Sequence, residues 1–189
     1  MCIRDSNNSI HKQFDWVILT LPAEQTCSLI SKNISFYHQI NLIKMMGCYS
    51  LMLGMEQPLK LDYDAALIEN QDIRWVAINN SKPERKNGYS ILINSSFDYA
   101  QKNISTPKEK VIKHLLNLTQ DLIKKDLTNA KLKQLHQWRY VQNIQYPEED
   151  FFIDKTQKIA VCGDWFVNNR VEGAFESAKR LSNMILKLT

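Results

Sequence analysis

A near-continuous apolar run, FDWVILTLP at 14–22, and a short apolar segment, KIAVCG at 158–163, constrain the fold of this chain more than any other feature. A strand with apolar residues at consecutive positions has no polar face to give to water. It needs cover on both sides, so it belongs in a parallel or mixed sheet beneath helices. Pro22 stops the first run and Gly163 the second. A short helix is expected from Ala23 to Ser31 and a longer one from about Val171 to Leu188.

Between these runs the pattern changes. The segments 48–56, 63–69, 73–81, 89–96 and 131–143 read as strands of an antiparallel sheet, parted by Pro58, by Asn70 and Asp72, and by a hairpin loop at 82–88 with Asn87-Gly88 at its tight point. Within 107–125, Val111, Leu115, Leu118 and Leu122 recur at helical spacing. Lys110, Lys113, Asn117, Asp121 and Lys124 occupy another face, which predicts a surface helix packed across that sheet. The expected class is α/β in the mixed α+β sense. Two lobes share the chain, a sheet of buried strands built from both ends and an antiparallel sheet with helices between.

Charge and cysteine content remove several functions. The net charge is +4, and the stretch 107–134 alone holds seven Lys against three acids, so the surplus is the solvated face of one helix. Without interleaved aromatic residues this is no nucleic-acid footprint. The four cysteines (Cys2, Cys27, Cys48, Cys162) form no C-x-x-C pair and have no histidine at zinc spacing, so reduced structural thiols and no metal site are expected. No apolar run approaches the roughly 20 residues of a membrane span, and no basic-then-apolar leader opens the chain. A cytoplasmic protein with no membrane partner is expected.

Chemistry concentrates in VCGDWFVNNRVEGAFESAKRLSNMIL, 161–186, which holds two of the chain's five glycines. Gly163 would let the backbone approach whatever lies beyond the sheet's carboxyl edge, and Asp164 would stand where open α/β sheets bind ligands. The loop leads into a helix opening on Glu172, Gly173 and Ala174, small residues that leave amide N–H groups uncovered for negative charge. Ala174, Ala178, Leu181, Ile185 and Leu188 would form the buried stripe. The same residues also suit an ordinary turn, with Glu172 complementing the helix dipole.

The segment CGDWFVNNRVEGAFESA resembles the C-terminal flavin-binding segment of the flavin-containing amine oxidase superfamily, in particular its renalase-like branch of NAD(P)/FAD-dependent oxidoreductases. Four more segments are similar to that family in the same order: FDWVILTLPAEQ, CYSLMLGMEQPL, IRWVAINNSKPER and HQWRYV. The likeness runs from Phe14 to the end of the chain. It implies a partial FAD-binding Rossmann-like lobe at 14–31 and 157–189 and a substrate lobe at 32–156. Residues 1–13 are left as a non-native or disordered tail. MCIRDS resembles a translated sequencing adapter, which implies a reading frame that starts upstream and a chain that is the C-terminal part of its protein.

What the resemblance implies about residues can be placed on this sequence. Gly163, Asp164, Arg170, Val171, Glu172, Gly173 and Ala174 would bind FAD, Asp164 at the ribityl chain or, through water, the pyrophosphate, and the helix end at the ring's N1 and C2 carbonyl. Trp138, Arg139 and Tyr140 would line the substrate pocket, although Trp138 and Tyr140 share a strand face and also suit a core. The implied reaction takes a hydride from a reduced nicotinamide, NAD(P)H, or a similar small donor; no catalytic side chain is assigned. Asn169 stands where the family has glycine, and asparagine tolerates the left-handed backbone such a turn needs. No G-x-G-x-x-G occurs, so the element that grips the dinucleotide is absent. The competing expectation is a non-catalytic α/β binding domain whose Gly-Asp turn and basic helix contact an anionic partner.

Overall fold

A computed structural model describes every residue except Met1, Asp5, Asn70, Gln71, Lys86, Asn87 and Thr189, with the backbone alone at residues 2–4. The turns expected at Asn70 and Asn87 therefore lie outside the described residues. Contacts divide the chain into two units, residues 1–45 with 142–189, and residues 46–141. The architecture is mixed α/β.

In the first unit, β3 (Val17–Leu19), β10 (Ile159–Val161) and β9 (Phe152–Asp154) form a sheet in the order β3-β10-β9, with β10 parallel to β3 and antiparallel to β9. β10 is covered on both faces, as its apolar run demands. Val161 packs into a cluster with Ala23 of α1 (Ala23–Leu29), Ile40 of α2 (Tyr37–Leu42), Phe152, Trp165 and Phe166. Ala160 and Cys162 meet Leu181 of α5 (Val171–Ile185) on the other side. β3 departs from expectation. It is only three residues long and Ile18 is 48% exposed, because β3 is an edge strand and the cluster around Leu181 does not reach it. Segments 32–45 and 142–156, placed by the sequence with the substrate lobe, contribute Ile34, Phe36, Ile40 and Phe152 to this core. The N-terminal residues form a separate ribbon, β1 (Cys2–Arg4) antiparallel to β2 (Ile10–Lys12), with Ile10 exposed.

Asp154 pins this unit. Its Oδ1 accepts from Gln157 N at 2.8 Å and its Oδ2 from Ser35 N at 3.0 Å, bonds that hold its carboxyl below the usual carboxylate range, the Gln157 bond most. The unfolded chain then takes up a proton more readily than the folded one. This stabilisation is present above the ordinary aspartate value and is lost as pH falls through the lower folded one. Urea unfolding of wild type and Asp154→Asn should differ at pH 7, and the gap should narrow as pH falls below the ordinary aspartate range; a gap that stays constant on acidification would refute this role.

The second unit is a five-stranded sheet in the order β5-β6-β7-β4-β8, from β4 (Met45–Met55), β5 (Ala65–Leu67), β6 (Ile73–Ile78), β7 (Tyr89–Ser95) and β8 (Leu132–Asn143). The pairs β5/β6, β6/β7 and β4/β7 are antiparallel, with a register shift at Ile73/Trp75. Alternation sets the faces. Tyr49, Leu51, Leu53, Ile91 and Ile93 are at most 2% exposed and join Tyr99 of α3 (Phe97–Lys102) and Val111 and Leu115 of α4 (Lys108–Ile123) in one core. Cys48, Ser50, Met52, Leu92 and Asn94 stand on the opposite face. The buried residues of α4 are Val111, Leu115, Leu116, Thr119 and Ile123; Leu122 is exposed and Leu118 only flanks the core. Thr119 replaces an apolar residue because its hydroxyl donates to Leu115 O at 2.6 Å, which satisfies it without water.

Among the described residues, no helix is long and apolar enough to cross a membrane, and no group of three or more His, Cys, Asp or Glu is placed to hold a metal ion.

Candidate functional site

The sequence-derived candidates fall in different units: 163–174 in the first, 138–140 in the second. Gly163 follows β10 and Asp164 opens a single 3-10 turn, Asp164–Phe166. The Asp164 carbonyl gathers the chain, accepting from Val167 N at 3.1 Å, Asn168 N at 3.2 Å and Asn169 N at 2.9 Å. Asn169 then adopts φ 54°, the left-handed conformation its position required. Arg170 caps α5 in extended conformation with no side-chain capping bond. Its own N–H donates to Asn168 Oδ1 at 3.1 Å.

That geometry leaves the first-turn N–H groups of Val171, Glu172 and Gly173 without intrahelical acceptors, since the earliest bond within α5 runs from Ala174 N to Arg170 O. Val171 is 90% exposed and Arg170 and Glu172 are exposed, so the helix end opens to solvent. The glycines have other duties than the sequence suggested. A side chain at Gly163 would meet the indole of Trp165 at 2.9 Å, and one at Gly173 would overlap Asn168 Oδ1. Each glycine admits a neighbour of the turn itself. The buried stripe of α5 is likewise Gly173, Ser177 and Leu181, with Ala178 exposed and Leu188 42% exposed. Ser177 earns its buried place by bonding, accepting from Gly163 N at 3.1 Å and donating to Asp150 O at 2.6 Å, which ties the helix to the strand end.

Asn143, unmarked by any motif, supports the turn from beneath. Its side-chain amide donates to Trp165 O at 2.8 Å and Gln145 O at 2.7 Å, and its backbone N–H to Asn169 Oδ1 at 3.2 Å. Asn169 in turn donates to the Tyr146 hydroxyl at 2.7 Å. Asn143 is 3% exposed and its Oδ1 has no hydrogen-bond partner among the described residues. A lone polar residue at a strand end carries no signal in one sequence. The Asn-Asn pair before the helix does carry one, because asparagine suits both left-handed backbone and helix entry.

On β8 of the second unit, Trp138 is 53% exposed, lies edge-on to His136 with ring centroids 4.2 Å apart, and donates from Nε1 to Ser50 Oγ at 3.1 Å. Arg139 is exposed and follows Leu135 and Gln137 in the two-residue period of the helix-side face, where Gln137 donates to the Tyr49 hydroxyl. Tyr140 is half-buried and shares the open-face period of Trp138. The structure thus separates Arg139 from the two aromatic residues beside it.

No protein-family model matches the chain. Its fold is similar to that of several solved oxidoreductases. A candidate protoporphyrinogen oxidase from Exiguobacterium sp. superposes with a TM-score of 0.76 at 11% identity, over 100% of this chain and 44% of that one. A putrescine oxidase redesigned in its cofactor binding gives 0.66 at 12% identity, over 92% and 43%. An oxidoreductase from Methanosarcina mazei gives 0.65 at 15% identity, over 96% and 47%. The fold is therefore one found in oxidases, and the chain spans less than half the length of these proteins.

Proposed function

We propose that the chain is the C-terminal part of a cytoplasmic, renalase-like FAD-dependent oxidoreductase, and that Gly163–Ala174 is its share of the flavin site. One observation carries the reading: in a fold it shares along its whole length with an oxidase, a strand passes through one Gly-Asp turn into a helix whose first N–H groups are free and uncapped. The donor set fits the group. Free amides and the positive end of a helix dipole suit a carbonyl oxygen or developing negative charge, and a carboxylate at Asp164 suits a hydroxyl.

Bound FAD would supply the redox chemistry, acceptance of a hydride from a reduced nicotinamide or similar small donor. The chain's own part is electrostatic preorganisation. The amides of Val171 and Glu172, on the exposed residues of the first turn, are fixed by α5 before any ligand arrives, so they stabilise charge at the helix end without reorganising. Asp164 accepts a hydrogen bond from a ligand hydroxyl. Asn143, Asn168 and Asn169 hold the turn, and Ser177 sets the distance from strand to helix. Trp138, Arg139 and Tyr140 are assigned to the substrate side.

The test is flavin retention. Extended upstream to include a strand followed by G-x-G-x-x-G, the protein should purify with a visible flavin band, whereas residues 1–189 alone, mixed with excess FAD and desalted, should not. In the extended protein Asp164→Ala should lower FAD affinity about tenfold to a hundredfold, the worth of a charge-assisted hydrogen bond, with little change in the melting of the apo form. Colourless extended protein would sink the reading in favour of a binding domain without redox chemistry.

A further inference from the structure

We infer that Asn94 is a specificity-determining residue on the open face of the five-stranded sheet, presenting an oriented N–H donor to a planar ligand that bears a carbonyl or carboxylate oxygen. This deepens the function proposed above by naming the substrate class of the second unit, and rests on that reading only for its bearing on catalysis.

The argument is one of polarity. Trp138 Nε1 can only donate, and it donates to Ser50 Oγ at 3.1 Å. Ser50 is 8% exposed, and its hydroxyl proton goes to Asn94 Oδ1 at 2.7 Å. Ser50 thus accepts from Trp138 and spends its single proton on Asn94 Oδ1, so the chain Trp138, Ser50, Asn94 runs in one direction across three adjacent strands, β8, β4 and β7. Asn94 Oδ1 faces Ser50, so its NH₂ must point the other way. Among the described residues that NH₂ donates to nothing. The polar groups beside it are satisfied among themselves: the single Cys48 thiol proton has Tyr49 O at 3.2 Å and Ser95 O at 3.4 Å as acceptors, and Ser95 Oγ accepts from Tyr49 N and donates to Ser96 O.

Asn94 also lines a shallow cavity of about 400 Å³ with Cys48, Leu67, Arg74, Trp75 and Phe97. Arg74 holds its guanidinium 4.8 Å from the Phe97 ring centre, a second donor without an acceptor function. The walls are aromatic or aliphatic, and the free polar groups are donors. A flat ring carrying an acceptor oxygen matches that lining; a ring carrying an ammonium does not. Trp138 and Ser50 act as positioning residues, since they reach the ligand only by holding the Asn94 amide in one orientation.

Benzamide, benzoate and benzylamine share one ring and differ in the polar group, so they serve as probes, with binding to the 189-residue chain followed by chemical-shift titration. Wild type should bind benzamide and benzoate more tightly than benzylamine. Asn94→Ala should weaken benzamide about tenfold, the equivalent of one net hydrogen bond. Asn94→Asp, of the same shape, should invert the order by replacing the donor with a carboxylate oxygen. Trp138→Phe keeps a ring but frees the Ser50 hydroxyl to turn, so the preference for benzamide over benzylamine should shrink while binding of both persists. Thermal melts establish that each variant is folded. An unaltered order in Asn94→Asp, or no binding of any probe to wild type, would overturn the inference. Flavin retention is a separate readout: probe binding that depends on Asn94 in a protein that holds no FAD would remove the proposed function and leave this site standing.

Discussion

Trp165→Ala is expected to lower the stability of the first unit by about 3–5 kcal/mol, the range for deleting a large aromatic side chain from a packed core. Trp165 is 1% exposed, stacks on Phe166 with ring centres 3.9 Å apart, and donates from Nε1 to Leu21 O at 3.1 Å. Phe152 approaches both rings. Removing the indole opens a cavity in this core, and it leaves the Leu21 carbonyl with the Thr26 hydroxyl, at 3.2 Å, as its remaining side-chain donor. Trp165→Phe retains most of the packing and should cost about 1 kcal/mol for the lost hydrogen bond plus a smaller packing loss. Urea unfolding monitored on the first unit measures both; a cost below about 1.5 kcal/mol for the alanine variant would mean that the site collapses around the gap. Because Asp164 precedes this residue, the larger loss should also blur the turn at the helix end.

A second large effect is expected at Gly47. A methyl group there would stand 2.7 Å from Trp138 O, a backbone atom that cannot rotate away. Gly47→Ala must spread β4 from β8, at an expected cost of about 1–3 kcal/mol, as for other overpacked sites. Gly54 on the same strand is the milder comparison: its added methyl would stand 3.1 Å from Leu132 Cβ, a contact that a shift of a few tenths of an ångström relieves. Equal destabilisation of the two variants would show that strand separation is not the cause. The spread falls beside Trp138, so Gly47→Ala should also lengthen the bond to Ser50 and weaken discrimination among the ring probes, an effect that Gly54→Ala should not share.

Much of the second unit was legible because its strands are long. β4 and β8 run for 11 and 12 residues, and β7 alternates cleanly, so period and turn residues suffice to find them. The six-residue α2 and α3 and the three-residue β9 escaped, since so short a segment shows no period. The faces of α4 and α5 were misjudged for a different reason. Counting apolar residues cannot foresee that Thr119 and Ser177 are buried, because what admits them is an acceptor or donor supplied by the fold. β3 was expected to be buried on both faces because its run is apolar, yet Ile18 is half exposed at a sheet edge. At the candidate site the motif located Gly163, Asp164 and the helix start, and it anticipated the left-handed Asn169. It gave no hint of Asn143, Ser50 or Asn94, each of which matters through a partner distant in sequence.

The division of the chain also sets an order of assembly. Residues 46–141 are continuous and complete their sheet from neighbouring stretches, so on a ribosome they can fold while the rest is still being made. The first unit cannot: its parallel pairing joins Val17 to Ile159, and Trp165 and α5 arrive later still. Closing so long a loop is slow. During that interval Ile34, Phe36 and Ile40 lack Phe152, Val161, Trp165 and Phe166, the later residues they pack against in this unit. The helix end at Val171 is thus formed last, after everything that must support it.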